Sequence, residues 1–438
     1  MRFSHAFLLT FLAREVMLVS GFVNSIVLAR CLGPEGVGSY AFIVTTALFL
    51  SQVLCLGLNN ANNYFAAKDP DRAGLLITQS VIPVLVAVLP LGVSAIWWPP
   101  AADLLFGRLP TDLRMISVLG TGILVLQVNV GAILFGLQRY KRYGVVNALP
   151  SVGTALTNVV LIAILKEPVI WALASWLAWN LVTVLVSAGL LSALAKPVWK
   201  IDRRFLWECV RIGAKGLLTS FLGYVALRGI LMMLNHYHGP AVVGYYSVAV
   251  PISELLLHAP GVLGAMLFTK SSARQYSGVE VARVLRMHLL LGALGCIALG
   301  LVAWVLFPAV FGERFVHSIV PFRILLAGSY FMGLWILTSG YLSGRHGYPP
   351  SVVGLTGLMA ALTVGLGVWW IPGYGATGGA AAWSIATGVS SLAMLGVFLR
   401  DTRGEVSGRD LLPQLNDFRS LWNGLLNRTK AGTGVSDP

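Results

Sequence analysis

Apolar residues fill runs of twenty or more positions along nearly the whole chain, broken only by short polar interruptions. The runs do not alternate polar and apolar as a half-buried strand would, and each is long enough to cross a hydrocarbon layer as a helix, which takes about 20 residues. Twelve runs qualify. In the first half they cover 6–30, 38–63, 74–98, 113–137, 144–165 and 168–195, and in the second half 216–236, 240–269, 287–311, 317–342, 351–371 and 376–399. The first run carries Arg14 and Glu15 and lacks a small-residue cleavage site, so it reads as a span rather than a signal peptide. Beyond Arg400 the pattern changes. Leu411, Leu412, Leu415, Phe418, Leu421, Trp422, Leu425 and Leu426 recur at helical spacing among polar residues. That predicts an amphipathic helix on the membrane surface, or docked on its own bundle, with Ala431 to Pro438 as an unstructured end.

One signature occurs twice. Gly33-Pro34-Glu35-Gly36-Val37-Gly38-Ser39-Tyr40 returns as Gly239-Pro240-Ala241-Val242-Val243-Gly244-Tyr245-Tyr246, with five of eight positions identical. Each copy ends one long apolar run and opens the next. A half-chain repeat in so apolar a protein predicts two homologous helical bundles. An even number of spans in each inserts both the same way up. The expected fold is all-α and integral to the membrane, with twelve transmembrane helices in two parallel six-helix lobes and a C-terminal amphipathic helix. The lobes are 1–195 and 216–400, the linker is 196–215, and the tail is 401–438. Gly33, Pro34, Gly38, Gly239, Pro240 and Gly244 are read as structural: turns, starts of helices and close helix approach.

Composition narrows the class. The chain is 57% hydrophobic and 11% charged, whereas a soluble domain has roughly 25% charged residues. Too little charge is available to cover a water-facing surface. The net charge of +14 does not indicate nucleic acid, because the basic residues sit in short loops and not on one patch. The even-numbered loops hold Lys68, Arg72, Arg139, Lys141, Arg142, Lys196, Lys200, Arg203, Arg204, Arg211, Lys215, Lys270, Arg274, Arg283, Arg286 and Arg345. The odd-numbered loops are poorer, so these loops and both termini are expected in the cytoplasm. Cys31, Cys55, Cys209 and Cys296 form no metal or disulfide pattern.

Charge within the spans gives the candidate chemistry. Arg14 in the first span and Arg228 in the seventh occupy matching places in the two halves. Charge at bilayer depth usually faces a wet cavity or a partner, and guanidinium pairs well with phosphate. The two arginines therefore either clamp an anionic substrate or pair inside the protein. Glu15, and Glu254 with His258 four residues on, are candidates for ion or proton coupling; helix-joining contacts are the plainer reading. Asn24, Gln52 and Asn59 are candidates for glycan hydroxyls, with Asn60, Asn62, Asn63, Gln127, Asn129 and Asn180 in the same class; capping is the alternative. Asp69-Pro70-Asp71 reads as a turn that starts the third span, despite its likeness to a metal-binding DxD. His236 and His238 are two ligands without a third, so no metal is assigned. No phosphate-binding loop or nucleophile–base set appears, and no cofactor is expected.

The chain resembles Wzx-type polysaccharide flippases of the MOP superfamily, which also holds MATE exporters and the lipid II flippase. The matching segments are Val27-Leu28-Ala29-Arg30-Cys31-Leu32-Gly33-Pro34-Glu35-Gly36-Val37-Gly38-Ser39-Tyr40, Leu134-Phe135-Gly136-Leu137-Gln138-Arg139-Tyr140, Val243-Gly244-Tyr245-Tyr246-Ser247-Val248-Ala249, Tyr341-Leu342-Ser343-Gly344-Arg345 and Ile371-Pro372-Gly373-Tyr374-Gly375-Ala376-Thr377-Gly378-Gly379-Ala380-Ala381. The resemblance implies a transporter, not an enzyme. Its implied substrate is a polyprenyl-pyrophosphate-linked oligosaccharide, moved to the outer leaflet for exopolysaccharide, capsule or O-antigen synthesis. Arg14 and Arg228 are the positions that would meet the pyrophosphate. Many relatives carry an acidic residue just after the seventh-span arginine, where Gly229 and Ile230 stand here. Besides membrane lipids, the implied partners are the polymerase and glycosyltransferases of the pathway; the implied location is the cell inner membrane. A MATE-like small-molecule exporter shares this architecture and is the alternative; Glu15 and Glu254 would suit cationic cargo.

Overall fold

The computed structural model describes residues 3–98, 106, 110–198, 202–272, 277–347 and 349–411. The side chains of 3–14, and so that of Arg14, lie outside the described residues, as does most of the expected amphipathic helix, from Leu412 on. Among the described residues every regular element is helical. They are α1 (Phe3–Leu54), α2 (Leu58–Lys68), α3 (Ala73–Gln79), α4 (Leu89–Trp97), α5 (Thr111–Gly136), α6 (Tyr140–Asn158) and α7 (Val169–Ser192), followed by α8 (Arg203–His238), α9 (Pro240–Ser253), α10 (His258–Ser272), α11 (Gly278–Phe311), α12 (Ile319–His346) and α13 (Pro350–Asp401).

Two of these helices are each a pair of spans. Helix α1 breaks at Gly33 (φ 69°, ψ −173°) and α13 at Gly375 (φ 53°, ψ −132°). Among the described residues nine stretches are long and apolar enough to cross a membrane; splitting those two and adding the more polar α8 gives the twelve expected spans. Their exposed faces carry Leu301 at 72%, Val305 at 70% and Trp369 at 73% exposure. Side chains this apolar and this open require lipid as solvent.

Three departures from a plain run of helices have visible causes. The second span is interrupted between α1 and α2, where Leu56 (φ 54°) and Gly57 (φ 73°) turn the chain. There the backbone of Gly213 on α8 crosses so closely that a Cβ on Gly57 would lie 2.4 Å from its carbonyl oxygen. The eighth span tightens to a 3₁₀ turn at Glu254–Leu257, just after Pro251, which has no N–H to continue the α-helical ladder. The expected linker 196–215 is largely helix. Asp202 accepts hydrogen bonds from the Arg204 and Phe205 backbone nitrogens at 3.0 and 3.1 Å and starts α8 well before its apolar run.

The chain forms two compact units. The first comprises Met1–Ile252, Trp304–Phe322 and Ala360–Trp383; the second comprises Ser253–Ala303, Arg323–Met359 and Ser384–Pro438. In the first unit, one core cluster joins Leu58, Phe65, Leu76, Ile133, Leu191 and Phe205 at the Lys68 end of the bundle. In the second unit, the close approach of α10 and α12 rests on glycine. A Cβ on Gly344 would meet the Phe268 carbonyl oxygen at 2.3 Å. Apolar burial against other helices gains little over burial in lipid, so such close van der Waals packing holds these helices.

Candidate functional site

The repeated signature forms the most constrained contact of the first unit. Gly33 and Gly239 adopt nearly the same backbone conformation, φ 69°, ψ −173° and φ 79°, ψ −172°. This region is essentially reserved for glycine. In each copy the following proline starts the next helix at once. The two copies then pack on each other. A Cβ on Gly38 would lie 1.7 Å from the Pro240 carbonyl oxygen, and one on Gly244 would lie 2.0 Å from the Pro34 carbonyl oxygen. Residue for residue the contact is reciprocal, as a local two-fold axis between homologous halves requires.

Neighbouring groups tighten the same end of the unit. Arg30 donates from Nε to the Val310 carbonyl at 2.8 Å and from Nη2 to that of Ala309. Its charge thus meets the negative C-terminal end of α11. Phe22 meets Phe311 edge-on at 6.0 Å, and a His238 ring nitrogen lies 2.6 Å from the Ile371 carbonyl oxygen.

Arg228 is half-buried on α8, one turn beyond Tyr224, and the two interact electrostatically. Phe49 on α1 packs against this helix through Phe221 at 5.8 Å and Tyr224 at 6.1 Å. A guanidinium set beside aromatic faces is equipped to hold an anion next to an apolar group. The pairing with Arg14 rests on a side chain outside the described residues. Glu15 is half-buried on α1.

The amides meet different partners. The Asn24 carboxamide oxygen accepts from Asn158 Nδ2 at 2.8 Å, and Tyr40 also bonds to Asn24. Gln52 and Asn59 are half-buried beside the Gly57 turn. The Cys55 thiol lies 3.2 Å from the Gln52 carbonyl and 3.7 Å from Asn59 Oδ1. Asn62 is buried and donates to Ser80 Oγ at 3.0 Å and to the Asn129 carbonyl at 3.3 Å. In the second unit Glu254 opens the 3₁₀ turn and His258 closes it, with His258 Nδ1 3.1 Å from the Leu255 carbonyl. A 3₁₀ turn eclipses residues three apart, so the pair lacks the simple four-residue alignment of an α-helix.

Sequence reasoning missed His288. It is buried on α11, stacks on Tyr330 at 5.5 Å and bonds to the Tyr330 carbonyl at 3.0 Å. A lone histidine in an apolar run gives no periodic signal. It also missed the tie at the far end of the second unit, where Asp401 meets His346 at 2.7 Å and Arg345 at 3.7 Å.

Long helices in pairs, broken at glycine and packed through a repeated signature, define a multi-pass membrane protein. Solved structures share the fold. The chain matches "Lipid II flippase MurJ, inward closed conformation" with a TM-score of 0.77 at 13% identity, over 98% of this chain and 94% of that one. It matches an inward-facing multidrug resistance MATE transporter of the MOP superfamily with a TM-score of 0.68 at 19% identity, over 88% and 94%. An outward-facing MATE structure gives 0.60 at 18%, over 90% and 94%. No curated protein sequence matches it. Residues 7–266 match the family described as "Polysaccharide biosynthesis protein", and the chain belongs to that family.

Proposed function

We propose that this protein moves a polyprenyl-pyrophosphate-linked oligosaccharide from the cytoplasmic to the outer leaflet of the cell inner membrane. Two six-helix lobes, 1–195 and 216–400, would alternate access to the path between them, with both termini in the cytoplasm. The reciprocal Gly38–Pro240 and Gly244–Pro34 contacts carry this reading. With the basic loops inside, this contact lies at the outer ends of the spans. A contact between equivalent elements of homologous halves is the kind that parts when the halves rock, and it seals one side until then.

The chemistry of the cargo suits the residues. A glycan head cannot cross hydrocarbon unaided, whereas its polyprenyl tail stays in lipid. Arg228, one turn from Tyr224, would take the pyrophosphate, with Arg14 as the matching group of the other half. Gln52 and Asn59 offer amides to the sugar, while Asn24 would have to exchange its bond to Asn158. Glu15, Glu254 and His258 are the groups for coupling to an ion gradient. Polymerase and glycosyltransferases of the same pathway are its expected neighbours.

The test is the pool of lipid-linked oligosaccharide in a deletion strain. The pool should accumulate on the cytoplasmic leaflet and clear on complementation with the wild type. Arg228→Ala should cut the clearing rate about 10- to 100-fold, the worth of a charge-assisted contact; Arg228→Lys should recover part of it. Normal pools and surface glycan with altered drug sensitivity would overturn the proposal in favour of small-molecule export.

A further inference from the structure

The far end of the first unit, away from Gly33, holds a cavity of about 490 Å³. It lies between the end of α2, the turn before α3, the end of α5 and the segment after α7. Ala66, Ala73 and Leu194 help to make its apolar wall, and Asp71, Gln138 and Arg139 are its polar members. Two segments singled out by sequence thus meet here: the Asp69-Pro70-Asp71 turn and the stretch ending in Gln138-Arg139.

The charges around it are arranged unevenly. Asp69 pairs with Arg72 at 2.9 Å, and the Arg72 guanidinium lies over the Phe205 ring at 4.9 Å. Asp71 and Arg139 line the same cavity, yet neither enters an ion pair among the described residues. Between them Gln138 holds a left-handed backbone (φ 57°), costly for a residue other than glycine. Arg139 N–H closes that turn on the Leu134 carbonyl at 3.1 Å.

We infer that this cavity binds the headgroup of a zwitterionic aminophospholipid of the inner leaflet. Arg139 takes the phosphate and Asp71 takes the primary ammonium. A separated carboxylate and guanidinium over an apolar wall match a headgroup with one charge of each sign and an acyl chain behind it. A primary ammonium suits the site better than a quaternary one, because it donates hydrogen bonds to a carboxylate. Quaternary ammonium is recognised by aromatic faces, and no aromatic residue is among the described residues that line the cavity. The same lack removes the stacking platform a sugar would use. An anionic headgroup would keep the Arg139 contact but offer Asp71 no ammonium.

The leaflet, but not the binding, rests on the orientation proposed above. The test is thermal unfolding of the full-length protein in detergent, titrated with phosphatidylethanolamine, phosphatidylcholine or phosphatidylglycerol. Phosphatidylethanolamine should bind tightest. Asp71→Asn and Arg139→Gln should each weaken it about tenfold, the worth of one charged hydrogen bond, and Asp71→Glu should keep the preference. Asp71 and Arg139 are exposed, so the lipid-free variants should unfold as the wild type does. Equal stabilisation by all three lipids, a preference for phosphatidylglycerol, or unchanged selectivity in both variants would overturn the inference. The readout is binding, so a failure here leaves the flipping test standing, and the reverse holds as well.

Discussion

Gly38→Ala is the sharpest probe of the repeated signature. The added Cβ would lie 1.7 Å from the Pro240 carbonyl oxygen and 2.8 Å from the Gly244 nitrogen, where ordinary contact begins at 3.4 Å. Both neighbours are backbone, so no side-chain rotation relieves the clash and the two helices must part. Two effects oppose each other. Alanine favours a helix interior over glycine by roughly 0.5–1 kcal/mol. Overpacking a close contact costs about 1–3 kcal/mol and here acts on backbone, so the clash wins by about 2 kcal/mol. Under the alternating-access proposal that shifts the balance away from the sealed arrangement roughly 30-fold. The assay replaces the four native cysteines, places a reporter at buried Val37, and measures labelling by a membrane-impermeant maleimide from the outer side. Labelling at Val37→Cys should accelerate at least about tenfold in the Gly38→Ala background. Gly21→Ala is the control, since a Cβ there has nothing within 4 Å, and it should leave labelling unchanged. Equal labelling and equal thermal stability in the Gly38→Ala and Gly21→Ala proteins would refute the reasoning.

Gly239→Ala isolates backbone strain, because its Cβ would meet nothing within 4 Å while φ stays at 79°. It should lower stability by about 1–3 kcal/mol in chemical denaturation, and a loss no larger than that of Gly223→Ala would count against a glycine-only turn. Asn62→Leu removes two buried donors and should cost about 1–3 kcal/mol. Asn129→Leu should cost less, since both side-chain polar atoms of Asn129 are buried with no hydrogen-bond partner among the described residues; the reverse order would contradict this. Burial pushes the Cys209 thiol up to about 12, with Glu208 adding to the rise, so almost none of it is thiolate at pH 8. Exposed Cys31 should label readily at that pH and Cys209 only after unfolding. Labelling of Cys209 in the folded protein as fast as that of Cys31 would contradict its burial and raised value.

The hydropathy of the chain determined the class and the number of spans. Solvation by lipid is a property of each segment, so apolar runs could be counted without knowing their neighbours. Gly33-Pro34 and Gly239-Pro240 were legible as turns for the same reason: glycine and proline act on the local backbone, and both copies adopt the expected break. The tertiary structure alone decided what those copies touch. Five identical positions announced a repeat, but nothing in them stated that Gly38 would face Pro240 and Gly244 would face Pro34. The same limit hid the bond from Asn158 to Asn24 and the burial of His288 against Tyr330. Asparagines and histidines carry no address, and a single polar side chain in an apolar run fits capping, packing or cargo equally well. The interruption at Gly57 follows this rule. It occurs where the backbone of α8 arrives at Gly213, and a segment distant in sequence cannot be read from the residues beside the break. Local preference fixed where helices exist; the surfaces they offer one another fixed where they bend, seal and leave a cavity.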